Sequence, residues 1–193
     1  MFSIYETYLK TKGNFTTDEI ALMRSAAIIK TLSQNEYFLK EGEHTQFYAF
    51  VCKGCLRNYI VDENGDQHVL KFAPENWWAG DRDSLISGIP SITYTDALEE
   101  SVLVMFAKDT FDKLCKQIPA LAVMIDTLFH RSYVSSFKKI HEAVILSDQQ
   151  KYINFKQKYP ALIDRIPLHL IASYIGITSE ILNQIHSDQT NSH

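Results

Sequence analysis

The chain has only three cysteines among 193 residues (Cys52, Cys55 and Cys115), an odd and sparse set. Such a set builds no disulfide framework and fits a reducing compartment. No apolar run reaches 18 residues, so no membrane-spanning helix and no membrane partner are expected. Met1–Glu6 lacks a basic region followed by an apolar stretch; no secretory signal is expected, and the location is read as cytoplasmic. Positive charge is not in excess: 19 Lys and Arg against 23 Asp and Glu leave a formal net charge of -4. Nothing therefore draws the whole chain toward nucleic acid, and DNA contact would need a local basic patch. The seven histidines (44, 68, 130, 141, 169, 186 and 193) form no i, i+4 pair on a helix. Cys52-Lys53-Gly54-Cys55 is a lone C-x-x-C across a glycine turn, better read as two small apolar strand residues, so no metal site is expected. An iron–sulfur cluster held by four cysteines would need one more than the chain has. No P-loop, paired-carboxylate motif or Ser/His/Asp set is recognisable, and no catalytic residue or enzyme activity is expected.

What is present is organised around Gly42–Ala97. Short aromatic and β-branched runs (His44–Val51, Cys55–Val61, Gln67–Phe72) alternate with polar turns bearing Gly54 and Gly65. That alternation predicts a compact antiparallel sheet. Asn64-Gly65 is the strongest hairpin signal, because a tight reversal needs positive φ. Glu36–Leu39 is expected as the first strand, with 93–97 and 101–106 closing the sheet. Between Gly80 and Thr95 the pattern changes to a short helical turn and a loop with Gly88 and Pro90. Polar insertions of this kind commonly carry binding sites.

The rest reads as helix. Residues 2–30 are expected to be helical, with Thr16 and Glu19 spaced as a capping box. Helical periodicity returns at Asp109, a plausible N-cap, and a long helix is predicted from Pro119 to about Ile145. Its apolar positions Phe129, Tyr133, Phe137, Ile140 and Val144 are spaced 4, 4, 3 and 4, a seam suited to a helix–helix contact and read as the interface of a symmetric homodimer, with packing within the chain as the alternative. Leu121, Ile125 and Leu128 form a second stripe that could pack on the sheet. Ser147 and Asp148 can cap the next helix, to Tyr159. Pro167, Leu168–Ile175, Gly176 and a helix capped by Thr178 then fit a helix-turn-helix, with Ala172 small where the two helices cross.

Lys53-Gly54-Cys55-Leu56-Arg57, the Gly80-Asp81 pair, the long helix and the run Arg165–Thr178 together resemble the cyclic-AMP receptor protein/Fnr (Crp/Fnr) family of transcription regulators. The resemblance covers nearly the whole chain. It implies an α+β fold: an N-terminal antiparallel β-roll of the cyclic-nucleotide-binding type at 1–118, a dimerisation helix at 119–146, and a (winged) helix-turn-helix at 147–193. It also implies a pocket, carried over onto Phe72, Trp78, Gly80, Asp81, Arg82, Ser91 and Ile92. The family's phosphate-binding arginine position falls on Ser91, followed by Ile92, and a cyclic phosphate without a guanidinium loses its best partner. No cyclic nucleotide and no other cofactor is therefore expected. A different small-molecule effector, or a pocket filled by Trp77, Trp78 and Phe72, remains open.

For the output helix the resemblance implies base and phosphate contacts from Thr178, Ser179, Asn183, Gln184 and His186, with Ile181, Leu182 and Ile185 turned to the domain core. The family's arginines are missing there: no Lys or Arg follows Arg165. Asn and Gln can still read adenine bidentately, and Lys138, Lys139, Lys151, Lys156 and Lys158 could add charge from neighbouring helices, although such lysines usually make a solvated face. The expectation is a one-component transcription regulator that binds promoter DNA as a dimer. The alternative is a ligand-binding or protein-interaction dimer whose output domain no longer engages DNA.

Overall fold

The computed structural model describes the backbone of residues 1–190 and the side chains of residues 1–188. Two compact units emerge, one of residues 1–60 and 71–129, the other of 61–70 and 130 onward.

The first unit opens with α1 (Phe2–Lys10) and α2 (Thr17–Ala26). Thr16 caps α2 through a complete capping box: its Oγ1 accepts from Glu19 N at 3.2 Å, and Glu19 Oε2 accepts from Thr16 N at 2.7 Å. The helix ends at Ala26, short of the expected limit at residue 30. The β-branched run that follows leaves it as β1 (Ile28–Leu32), which pairs antiparallel with β8 (Ser101–Ala107) along its whole length. The first strand is thus Ile28–Leu32, and the strand expected first, at Glu36–Leu39, is the second, β2 (Tyr37–Leu39).

Next come β3 (Phe47–Lys53), β4 (Leu56–Val61), β5 (Gln67–Ala73), β6 (Trp78–Ala79), α3 (Arg82–Ser87) and β7 (Tyr94–Ala97). They form two antiparallel four-stranded sheets, ordered β1-β8-β3-β6 and β2-β7-β4-β5. The turn between β3 and β4 requires glycine. Gly54 has φ +87°, and a Cβ there would meet Ser101 Oγ at 2.3 Å and Glu100 O at 2.6 Å.

Alternate residues of β3 enter different cores. Ala49 and Val51 join Leu32, Leu56, Ala97 and Leu103, while Phe50 joins an aromatic cluster with Tyr5, Tyr8, Phe106 and Phe111. α4 (Lys108–Gln117) and the start of α5 (Pro119–Ile145) close that second cluster through Phe111, Leu114, Leu121, Met124 and Ile125. The cap of α4 is Ala107, so Asp109 lies inside the first turn.

The second unit holds the rest of α5, then α6 (Asp148–Lys158), a 3-10 turn (Pro160–Leu162), α7 (Leu168–Ile175) and α8 (Ser179–Thr190). Ser147 caps α6 in a capping box with Gln150. Tyr152, Phe155, Tyr159, Leu162, Ile166, Ile171, Ala172, Tyr174 and Leu182 are buried and make its core. Each such large side chain stabilises by about 1.5–3 kcal/mol. Among the described residues no strand follows β8, and the wing strands of a winged form are not among them.

Candidate functional site

The segment Gly80–Thr95 forms a closed hydrogen-bonded knot. Gly80 (φ +95°) turns the chain after β6, and Asp81 becomes the N-cap of α3. Asp81 Oδ1 accepts from Asp83 N at 2.9 Å and Ser84 N at 3.1 Å, satisfying the free N–H groups of the first turn. Its other oxygen, Oδ2, accepts from Ser91 Oγ at 2.7 Å. Ser91 is also held by its backbone, donating to Glu43 O and accepting from Gly42 N, both at 2.8 Å. Behind it Asn58 Nδ2 donates to Thr93 Oγ1 (2.7 Å), Thr95 Oγ1 (3.1 Å) and Tyr94 O (3.2 Å).

Of the pocket residues expected from sequence, the structure brings Gly80, Asp81 and Ser91 together and separates the others. Arg82 turns away: its guanidinium lies 5.2 Å from the Phe129 ring, with Nη1 3.4 Å from Phe129 O, and Nη2 pairs with Asp83 at 3.2 Å. Trp78 enters the aromatic cluster beside Tyr5 and Phe50, and Phe72 is fully buried. Ile92 is 74% exposed.

A cyclic phosphate does not fit this arrangement. Both oxygens of Asp81 are engaged, the hydroxyl at the arginine position is bonded to that carboxylate, and the neighbouring guanidinium points elsewhere. An incoming phosphate would meet the Asp81 carboxylate, with no guanidinium at the Ser91 position.

Sequence reasoning missed a buried ion pair beside this segment. Arg57 grips Asp96 with two parallel bonds (2.8 and 2.9 Å), both side chains nearly inaccessible, and Arg57 stands 4.2 Å from the Tyr59 ring centroid. Arg57 and Asp96 lie opposite each other on β4 and β7, 39 residues apart, so only strand pairing could have revealed them.

In the second unit α7 ends at Gly176 (φ +73°) and α8 starts at Ser179, the spacing of a helix-turn-helix. Thr178 Oγ1 accepts from Ile181 N at 3.3 Å, as a cap does. Asn183 and Gln184 are exposed, and Ser179 is half-buried. His186 Nδ1 shares a 2.7 Å hydrogen bond with Tyr152 Oη, which ties it to α6. Leu182 is fully buried and Ile185 half-buried, whereas Ile181, expected in the core, is 39% exposed. The first turn of α8 carries Glu180, whose carboxyl is held below the usual range by its own backbone N–H and by Thr178.

On α5 the expected seam is open. Tyr133 (66%), Phe137 (67%), Ile140 (65%) and Val144 (82%) are exposed, while Phe129 is half-buried under Arg82. Leu121 and Ile125 of the second stripe are buried in the aromatic core, with Leu128 packed against it. Cys52 and Cys55 are buried, and burial raises the Cys52 thiol above its ordinary range. Among the described residues no group of three or more His, Cys, Asp or Glu could hold a metal ion, and no helix is long and apolar enough to cross a membrane.

Residues 29–118 match the cyclic nucleotide-binding domain family. No curated protein matches the sequence. Among solved structures the chain is similar to FixK2 from Bradyrhizobium japonicum, at 14% identity and a TM-score of 0.76, covering 86% of this chain and 85% of that one. It is also similar to the catabolite activator protein of Thermus thermophilus, at 17% identity and a TM-score of 0.60, covering 96% and 87%. A third is a candidate transcriptional regulator of the Crp/Fnr family from Eubacterium rectale, at 14% identity and a TM-score of 0.69, covering 92% and 85%. The β-roll is thus of the cyclic-nucleotide-binding type. The fold, across most of the chain, is that of the Crp/Fnr transcription regulators.

Proposed function

We propose that the protein is a cytoplasmic, homodimeric one-component transcription regulator of the Crp/Fnr type, and not an enzyme. The observation that carries this reading is the pair α7–α8, joined through Gly176 and Thr178, in a chain that also holds the β-roll and the long helix. Asn183 and Gln184 are the base readers in this account, able to pair bidentately with adenine edges. Thr178 and Ser179 sit at the helix start, where hydroxyls contact phosphate oxygens. His186 reaches DNA only by giving up its bond to Tyr152.

The dimer forms through Tyr133, Phe137, Ile140 and Val144, whose exposure on one seam supports a helix–helix contact. The β-roll does not take cyclic AMP, because Asp81 and Ser91 satisfy each other. Its effector, if small, would have to open that bond.

A second reading is favoured by one observation, the absence of any Lys or Arg after Arg165. Phosphate neutralisation supplies most non-specific DNA affinity. A dimer without those cations could have kept the scaffold and lost the contacts. The two readings separate on one experiment, titration of duplexes with the natural protein and with Asn183→Ser, Gln184→Arg, His186→Arg. Selective binding by the natural chain supports the regulator; binding by the triple variant alone supports the second reading.

A further inference from the structure

Within the second unit, α5, α6, α7 and residues 68–70 of β5 line a half-open cleft of about 860 Å³. That lies in the size range of small-molecule sites. Its walls carry Arg131, Lys138, Lys139, Lys151 and Lys158 against a single carboxylate, Glu142. The carboxylate is already committed: it accepts from Asn154 Nδ2 at 3.0 Å and lies 3.5 Å from Lys138 Nζ. Lys151 is paired with Asp148 at 3.3 Å.

Lys139 and Lys158 have only neutral partners among the described residues. Lys139 Nζ donates to Leu70 O at 3.0 Å and stands 3.9 Å from the Tyr174 ring centroid. Lys158 Nζ donates to Tyr174 Oη at 3.0 Å and to Ser135 Oγ at 3.2 Å. Two ammonium groups therefore share one tyrosine with no acid to balance them. Burial lowers the Lys139 amine to about 8, and the charge on Lys158 pushes the same way. Lys139 is largely withdrawn from water while Lys158 stands at the exposed rim, and two like charges on one tyrosine are unfavourable unless an opposite charge joins them. Val134 and Phe155 give the cleft an apolar wall as well.

We propose that this cleft is a binding site for a small phosphorylated molecule, its phosphate held by Lys139 and Lys158 with Arg131 nearby, and its organic part against Val134 and Phe155. The site is separate from the Asp81–Ser91 segment and does not depend on the DNA-binding reading. It would give the regulator an anionic effector although its β-roll refuses a cyclic phosphate. Lysine suits such a ligand as a compact point charge.

The test is calorimetric titration of the full-length protein with sodium pyrophosphate at pH 8 and low salt, beside citrate as a polyanion without phosphate. Saturable binding at one site per chain is expected, about tenfold or more weaker in Lys139→Gln and in Lys158→Gln, and unchanged in Lys12→Gln. Citrate should bind at least about tenfold more weakly than pyrophosphate. Thermal melting of each variant confirms that it is folded, and Lys158→Gln suffices if Lys139→Gln is not. Absence of saturable binding, or equal weakening in all three variants, overturns the proposal. Equal affinity for citrate overturns the ligand class. If both cleft variants leave pyrophosphate binding unchanged but lower the salt dependence of duplex binding, the lysines serve a DNA backbone and the proposal falls.

Discussion

Replacing Phe137 by Asp should convert the protein from a dimer into a folded monomer. Phe137 is 67% exposed in the single chain, midway along a seam with Tyr133, Ile140 and Val144. Moving a phenyl ring from that exposure into a contact contributes roughly 1–2 kcal/mol, counted twice in a symmetric pair. The carboxylate adds a further cost, because two charges would face apolar surface without partners, at several kcal/mol before relaxation. A net weakening of about 5 kcal/mol corresponds to roughly a thousandfold to ten-thousandfold rise in the dimer dissociation constant. Light scattering behind size exclusion at micromolar concentration reads the mass directly. Thermal melting by circular dichroism should show the variant folded, since its side chain touches no core. A variant that stays dimeric in that measurement refutes the seam.

Asp81→Ala removes both the cap of α3 and the anchor of Ser91, and should lower stability by about 1–2 kcal/mol in urea unfolding; an unchanged midpoint would show that the segment is not held by this carboxylate. Cyclic AMP at millimolar concentration should leave the melting temperature of the natural protein unchanged, and a rise of several degrees would mean that the Asp81–Ser91 bond opens for phosphate. Gly54→Ala should cost at least about 2 kcal/mol, because the positive φ and the contact with Glu100 O leave no room for a Cβ; urea unfolding checks it. For Lys139 the folded amine titrates near 8, below the ordinary 10.5, so the unfolded chain binds the extra proton between those values. Stability should therefore rise with pH from about 8 toward 10.5 relative to Lys139→Met, and a flat difference between the two proteins would contradict the buried position.

Local signals were the legible ones. The capping box at Thr16–Glu19, the cap expected at Ser147-Asp148 and the proline that starts α5 are short-range patterns, and the structure places helix starts at each; that Gln150 completes a second box at Ser147 was not read from the sequence. Asn64-Gly65 turns the β4–β5 hairpin for the same reason, with Asp62 Oδ1 accepting from Asn64 N at 2.9 Å. β1 was hidden because Ile28 and Ile29 continue a helical run without a break, and only pairing with β8 decides their state.

At the candidate site, Asp81 and Ser91 were both singled out, but not that they bond each other. Arg82 was visible as a charge, yet its direction depends on Phe129, 47 residues away. Lys139 and Lys158 read as members of a solvated basic face; their shared contact with Tyr174 arises from packing among α5, α6 and α7. His186 looked like a basic group for DNA, and its bond to Tyr152 joins residues 34 apart.

DNA reading depends most heavily on the output helix, α8. The direct test is selection of duplex fragments from the source genome by the purified natural protein, titrated at about 50 mM and 200 mM salt. A dimeric regulator should retain a reproducible, two-fold symmetric site, with modest loss at the higher salt because α8 carries no cation, and Asn183→Ala or Gln184→Ala should relax the selected sequence. Recovery of no common site by the natural protein, with clear selection by Asn183→Ser, Gln184→Arg, His186→Arg, would contradict it.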